Sequence, residues 1–381
     1  MPYDVAVIGA GVFGAFAAYH LRQAGCSVLL VDAYGPGNSR SSSGGESRII
    51  RMGYGPDEIY TRSAMRSLDL WRRFQAATGQ PIFHPTGVLW TAIQGDPYTE
   101  ATRQTLTRCG VTFELLTTPD LAARFPQMCF PPDAWGIFEP HSGALMARRA
   151  VAAVAAEAVR IGVTLLHDAV AAPTGYGALT ALRTPATEIH AGNFVFACGA
   201  WLPRLFPDLL GQRILPTRQE AFFFATPPGD PRFTAPAMPV WIDFSDPSGP
   251  YGFPDLESRG VKIALDRHGP PADPETLDRL PSPEALAAAR DCLARRFPAL
   301  QNAPLTEARV CQYENTSNGD FLIDRHPDFT NVWLLGGGSG HGFKHGPAVG
   351  ESTAAALLQN RPPEPRYALA AKHETQERTV Y

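Results

Sequence analysis

The chain has 381 residues, 44% hydrophobic and 18% charged, with 33 Lys and Arg against 37 Asp and Glu. That length predicts two or three domains, and the apolar fraction excludes a disordered chain. A net charge of −4 without blocks of like charge, no apolar run of the roughly 18 residues a membrane span needs, and no basic signal-peptide start leave a cytoplasmic enzyme as the expectation, with neither nucleic acid nor membrane as partner.

In chain order, Val5-Ala6-Val7-Ile8 reads as a buried strand running into Gly9-Ala10-Gly11-Val12-Phe13-Gly14. A helical period follows (Ala17, Ala18, Leu21), closed by Gly25, and Val28-Leu29-Leu30-Val31-Asp32 reads as a second strand. Strand, glycine turn, helix and strand within about thirty residues form a βαβ unit. Residues 35–47 are Gly-, Ser- and Asn-rich and predict a loop, and a helical period returns over 58–77. Short strand-like pieces and turns fill 80–145, an Ala-rich helix spans 147–161, and 163–166 is a strand. Residues 194–201 read as a buried strand entering a glycine turn, and 213–270 is rich in strands broken by Pro and Gly. Ser282 and Pro283 have the N-cap and first-turn chemistry of a helix reaching about Arg296. A last strand at 332–335 meets Gly336-Gly337-Gly338, and a last helix covers 348–358. The tail from Arg361 reads as surface-bound or frayed.

Nucleotide-binding pieces at the start, middle and end, with strand-rich stretches between them, predict an α/β (α+β) chain of two interleaved domains. The Rossmann-like cofactor domain is placed at 1–80, 145–212 and 318–362. The substrate domain is placed at 81–144 and 213–317, with a tail at 363–381.

The glycines at 9, 11 and 14 carry the strongest local signal. Gly9 permits a tight turn, Gly11 admits a pyrophosphate to the backbone, and Gly14 lets the helix pack on the strand. Asp32, ending the second strand, is placed to accept ribose hydroxyls. This spacing does not separate NAD from FAD. Arg48 and Arg51 are three apart, adjacent on a helical turn, and suit a phosphate or a substrate carboxylate, the alternative being surface ion pairing. The stretch Gly336-Gly337-Gly338-Ser339-Gly340-His341-Gly342-Phe343-Lys344 lets backbone amides face a ring or an anion.

Of the 33 cationic side chains only three are Lys, at 262, 344 and 372. Where any positive charge suffices this chain uses Arg, so a Lys marks a place that wants a compact, deprotonatable ammonium; Lys372, in the polar tail, is assigned to chance. The six cysteines show no metal spacing and are expected to be reduced and mostly buried. His341 and His345 lack carboxylate or Cys partners at ligand spacing, so no metal site is expected. Asn315-Thr316-Ser317 matches a glycosylation triplet, without consequence in a chain that is not secreted.

With these residues in view, the chain resembles the monomeric sarcosine oxidase and N-methyltryptophan oxidase family, within the D-amino-acid-oxidase-like fold group. The resemblance runs over nearly the whole chain. It rests on the N-terminal glycine motif, Ser47-Arg48-Ile49-Ile50-Arg51 with Tyr54-Gly55, Phe138-Glu139-Pro140 with Ser142-Gly143, and Gly199-Ala200-Trp201. It continues through Tyr251-Gly252-Phe253-Pro254, Val310-Cys311-Gln312-Tyr313, Asp320-Phe321-Leu322-Ile323-Asp324 and Ser339-Gly340-His341-Gly342-Phe343-Lys344. It favours FAD over NAD and implies a two-domain D-amino-acid-oxidase-like fold.

The resemblance further implies that Cys311 bonds the flavin covalently, that Lys262 promotes reaction with O₂, and that Arg51 and Lys344 hold a substrate carboxylate. It places Arg48 beside the flavin and Tyr251 and Tyr313 in the substrate pocket. Its cofactor set comprises Gly9, Gly11, Val12, Phe13, Gly14, Asp32, Ser47, Arg48, Val170, Gly199, Trp201, Cys311, Gly338, Gly340, His341, Gly342 and Lys344. The implied activity is oxidation of a small N-substituted or cyclic amino acid to an imine with H₂O₂, by a monomer or small homo-oligomer. A dehydrogenase with another electron acceptor, or a flavin-binding subunit without turnover, are the alternatives.

Two positions depart from the family pattern. Asp266 and Gly44 stand where sarcosine-oxidising relatives carry histidines. Asp266 is therefore added to the catalytic set with Lys262, Arg48 and Tyr251, with an ion pair to Lys262 as its other reading. The space freed at Gly44 and the new carboxylate predict that sarcosine is a poor substrate and that a bulkier or cyclic amino acid is preferred.

Overall fold

A computed structural model describes residues 2–377. Its first large sheet has six strands in the spatial order Leu322–Arg325, Val332–Gly336, Ala191–Phe196, Tyr3–Ile8, Val28–Asp32 and Thr164–His167. All neighbours are parallel except the first pair. Residues 5–8 and 28–31 are buried without alternation, as parallel strands covered on both faces must be. Helix Val12–Gln23 packs on one side of this sheet against helices Ala147–Arg160 and Gly346–Gln359. The approach to the last helix is close because Gly350 lacks a Cβ, which would stand 2.6 Å from the Phe16 backbone.

The second sheet has eight strands in the order Leu305–Thr316, Ile214–Phe224, Val261–Leu265, Pro250–Phe253, Val240–Asp243, Val88–Ile93, Ala134–Glu139 and Glu114–Leu116. Its pairs are antiparallel apart from Val240–Asp243 beside Val88–Ile93. Helix Pro283–Arg296 covers it, started by the Ser282 hydroxyl, which accepts from the Ala285 amide at 3.2 Å. The family's expected architecture, a Rossmann-like sheet interleaved along the chain with a strand-rich sheet, is the one observed. Leu305–Thr316 is long enough to reach from the outer edge of the eight-stranded sheet to the glycine loop after Val332–Gly336, where the Gly338 amide donates to Glu314.

Three expectations are corrected. Arg48–Ile50 is a strand paired with Gly143–Leu145, so Arg48 and Arg51 do not share a helical turn; β-branched Ile49 and Ile50 favour the extended backbone. Lys372 is not a chance residue of the tail: it is 2% exposed and donates to Asn318 Oδ1 at 3.1 Å and to the Arg366 carbonyl at 2.7 Å. Arg366 in turn pairs with Asp57 and Asp320. A compact ammonium fits among these oxygens, so this lysine is placed by structure and not by chance. Finally, all six cysteines are free thiols, but only Cys292 is fully buried and Cys129 is exposed.

Candidate active site

Two cavities meet along the strand Leu305–Thr316. The larger, about 490 Å³, is lined by Gly9, Gly11, Val12, Phe13, Asp32, Val170, Gly199, Trp201, Gly338 and Gly342, among others. The smaller, about 110 Å³, is lined by Arg51, Tyr251, Lys262, Asp266, Cys311, His341 and Lys344, among others. Arg48, Tyr313, Gly340 and Phe343 line both. Alternation along the strand explains the division, since successive side chains point to opposite faces. Cys311 belongs to the small cavity, Gln312 and Glu314 to the large one, and Tyr313 borders both. Gly14 and Ser47 line neither. Gly14 sits beneath the turn, where a Cβ would stand 1.9 Å from the Gly9 carbonyl oxygen, and the Ser47 carbonyl accepts from Lys262 Nζ at 2.9 Å.

The large cavity fits a dinucleotide on the chemistry of its walls. Gly9 has φ +104°, and a Cβ there would meet the Ala197 carbonyl oxygen at 2.3 Å. A Cβ at Gly11 would have nothing nearer than the Ser43 hydroxyl at 3.6 Å, leaving the start of helix Val12–Gln23 open to a phosphate. Asp32 accepts from the amides of Ala10 at 2.7 Å and Tyr34 at 2.9 Å. Each of its oxygens keeps a further lone pair for a sugar hydroxyl. The Ser42 hydroxyl and Glu314 Oε2, both in this lining, have no hydrogen-bond partner among the described residues. Unpaired buried polar atoms are costly, and a polar ligand would relieve them.

The small cavity concentrates positive charge. Arg51 is 6% exposed, Lys262 3% and Lys344 4%. Glu139 fixes the Arg51 segment: its carboxylate, 1% exposed, accepts from the amides of Met52 at 2.7 Å and Gly53 at 3.0 Å. It also accepts from Trp90 Nε1 at 2.9 Å and the Ser142 hydroxyl at 2.5 Å. The Arg51 guanidinium then lies 4.4 Å from the Tyr54 ring centre and 4.6 Å from that of Trp90, and donates to the Gly53 carbonyl. Lys262 Nζ sits 4.5 Å over the Phe253 ring. Burial, then the Arg48 guanidinium, pushes the Lys262 ammonium well below its ordinary range. Burial, then Arg51, does the same to Lys344.

Asp266 meets the substrate-pocket tyrosine Tyr313. The strand ends at Leu265, and the Asp266 carboxylate accepts from the Tyr313 hydroxyl at 3.0 Å. Gly44 frees no space: a Cβ there would meet the Asn38 carbonyl oxygen at 1.9 Å, so this glycine serves a loop turn. The steric half of the argument against sarcosine therefore falls, while the carboxylate in the cavity stands. Cys311 Sγ lies 3.6 Å from an Arg48 nitrogen and 3.7 Å from the Ser42 carbonyl, near where the cavities meet.

The profile of the family described as FAD dependent oxidoreductase matches residues 4–356. The chain belongs to this FAD-dependent oxidoreductase family. It is 32% identical to the monomeric sarcosine oxidase of Bacillus sp. (strain NS-129), covering 92% of each chain. It is 30% identical to the peroxisomal sarcosine oxidase of Mus musculus, over 92% of this chain and 90% of that one. The N-methyl-L-tryptophan oxidase of Salmonella arizonae is 29% identical, over 95% of this chain and 96% of that one. Among solved structures, the L-proline dehydrogenase from P. horikoshii superposes with a TM-score of 0.84 at 22% identity, covering 97% of both chains. The fold is thus that of the D-amino-acid-oxidase-like flavoenzymes, and the cofactor of the family is FAD. No helix among the described residues is long and apolar enough to cross a membrane, and no group of three or more metal-ligating side chains occurs among them.

Sequence reasoning missed Glu314, hidden because an acid in an extended strand looks like a surface residue. It also missed the pairing of Tyr54 with His345, which are far apart in sequence. Burial pushes the Glu314 carboxyl up to about 7. Its folded pKa exceeds the unfolded value, so its contribution to stability is present at acidic pH and lost as pH rises towards 7. Unfolding followed from pH 4.5 to 7.5 should show a loss of about 2–3 kcal/mol from this group, and Glu314→Gln should remove that part of the slope. An unchanged slope in the variant would place the proton elsewhere.

Proposed function

We propose that the chain oxidises a small N-substituted or cyclic amino acid at the carbon beside its nitrogen. Its relatives are named as sarcosine and N-methyl-L-tryptophan oxidases, which supports a secondary amine as the reacting group. The observation that carries the reading is the trio of buried cations Arg51, Lys262 and Lys344 in one cavity that opens onto the dinucleotide slot. An anion is what such a cavity binds, and an amino acid brings one as its carboxylate.

FAD, when bound, supplies a two-electron acceptor for the amine and is re-oxidised by O₂ to give H₂O₂. Arg51 and Lys344 anchor the carboxylate and thereby fix the reacting carbon, a positioning effect worth several orders of magnitude in rate. Arg51 is held for this by Glu139 and by the two rings beneath it. Asp266, with the Tyr313 hydroxyl on it, offers negative charge to the substrate nitrogen. Tyr251, whose hydroxyl burial pushes up, stays neutral and shapes the pocket with Phe244, Ile242 and Phe343. Lys262 is held by the Ser47 carbonyl and supplies a positive charge where O₂ gains electrons. The imine leaves and hydrolyses in water. Cys311 is the residue for covalent attachment, and the enzyme works in the cytoplasm as a monomer or small homo-oligomer.

An anaerobic screen of secondary and cyclic amino acids tests the substrate class. Bleaching of the flavin absorbance by at least one of them is expected; a panel that leaves the flavin oxidised contradicts it. Acid precipitation should leave the yellow colour in the protein pellet, and Cys311→Ala should release it to the supernatant. Colour in the wild-type supernatant removes Cys311 from this role. Lys262→Met should slow re-oxidation by O₂ about 10²–10³-fold while changing flavin reduction far less. Equal losses in the two half-reactions, measured by stopped flow, refute the assignment.

A further inference from the structure

Lys344 is not an isolated cation. Its Nζ donates to the Tyr54 hydroxyl at 2.7 Å and to the His341 carbonyl at 2.9 Å. The Tyr54 oxygen lies 2.7 Å from His345 Nε2, and His345 Nδ1 lies 2.9 Å from the Ser63 hydroxyl. Tyr54 is 1% exposed and His345 0%. Ser63, on helix Glu58–Thr78, is only partly buried, and its neighbour Arg62 is exposed. The chain of contacts therefore begins in the cavity wall, crosses the aromatic packing of Tyr60 and Phe321 around His345, and ends at the outer side of a helix.

We propose that Ser63, His345 and Tyr54 form a proton wire between solvent and Lys344. The inference rests on the reading of Lys344 as the carboxylate anchor only for its purpose; the wire itself stands on the three contacts. Every member is both donor and acceptor, so a proton can be handed along without any group leaving its place. In the uptake direction the Tyr54 hydroxyl hydrogen passes to Lys344 Nζ, and the His345 Nε2 hydrogen replaces it on Tyr54. The Ser63 hydrogen then passes to His345 Nδ1, and solvent returns one to Ser63. No electrons move, and only Lys344 gains a proton.

A lysine here needs such a route. In the empty cavity burial and Arg51 disfavour its charged form, whereas Asp266 and Glu139 favour it. An arriving carboxylate adds to the second group and calls for a proton. His345 itself is kept neutral by burial, then by Lys344, His341 and Arg51, so it relays a proton without storing one. His341 borders Tyr54 at 3.4 Å through Nδ1, while its Nε2 lies 2.9 Å from the Gly319 carbonyl. Tyr60 donates to Asp320 at 2.8 Å, apart from the wire.

With only three lysines in the chain, selective ¹³Cε-lysine labelling of the holoenzyme gives three signals, and the shift of the Lys344 signal reports its charge. In the wild type, titration should move one averaged Lys344 line. In His345→Phe, exchange between the charged and neutral forms should slow at least tenfold, seen as a broadened or doubled line with an unchanged midpoint. Ser63→Ala, at a partly exposed site that tolerates the change, should slow it in the same direction. Wild-type line shapes in both variants overturn the wire. Adding acetate should raise the Lys344 midpoint; a midpoint that ignores acetate sinks the anchor reading and leaves the line-shape result to decide the wire.

Discussion

Burying three basic side chains in the wall of one small cavity is the constraint around which this active site is built. Arg51, Lys262 and Lys344 are each more than nine-tenths buried. Carbonyl oxygens, a phenol and ring faces are among the groups that hold them. Such partners position a cation but do not neutralise it. An anion that enters the cavity favours the charged forms of these side chains, so its binding and their charge are coupled.

Two features of the fold make that arrangement possible. The first is Glu139, a buried carboxylate. By accepting from two backbone amides, an indole and a hydroxyl, it pins the turn that carries Arg51, and its charge favours the ammonium form of Lys344. The second is the strand Leu305–Thr316, whose alternation sets Cys311 towards one cavity and Glu314 towards the other. A single strand thereby serves as the wall between the slot for the cofactor and the space for the substrate, which lets interleaved segments of the chain build one continuous site.

Much of this was legible in the sequence because the signals were local. The βαβ unit with Gly9, Gly11, Gly14 and Asp32 is a matter of spacing, and the scarcity of lysine drew attention to Lys262 and Lys344. The misreadings were all cases where tertiary contacts decide. The three-residue interval of Arg48 and Arg51 suggested a helix, but pairing with Gly143–Leu145 makes Arg48 part of a strand. Lys372 looked like tail composition until Asn318 and Arg366 supplied its oxygens. Gly44 looked like a deleted side chain until its backbone proved to be a turn against Asn38. Glu314 and His345 carry no spacing signal at all, since what marks them is burial among groups distant in sequence.

The most direct test of the account compares a cyclic or N-methyl amino acid with its own carboxamide, by anaerobic titration of the flavin absorbance. The two differ only in the anion that the buried cations are held to receive. Loss of a hydrogen-bonded, desolvated charge pair costs about 2–5 kcal/mol, so the acid should reduce the flavin at concentrations at least about thirtyfold lower than the amide. Equal reduction by acid and amide would contradict the claim that this cavity is organised around a carboxylate.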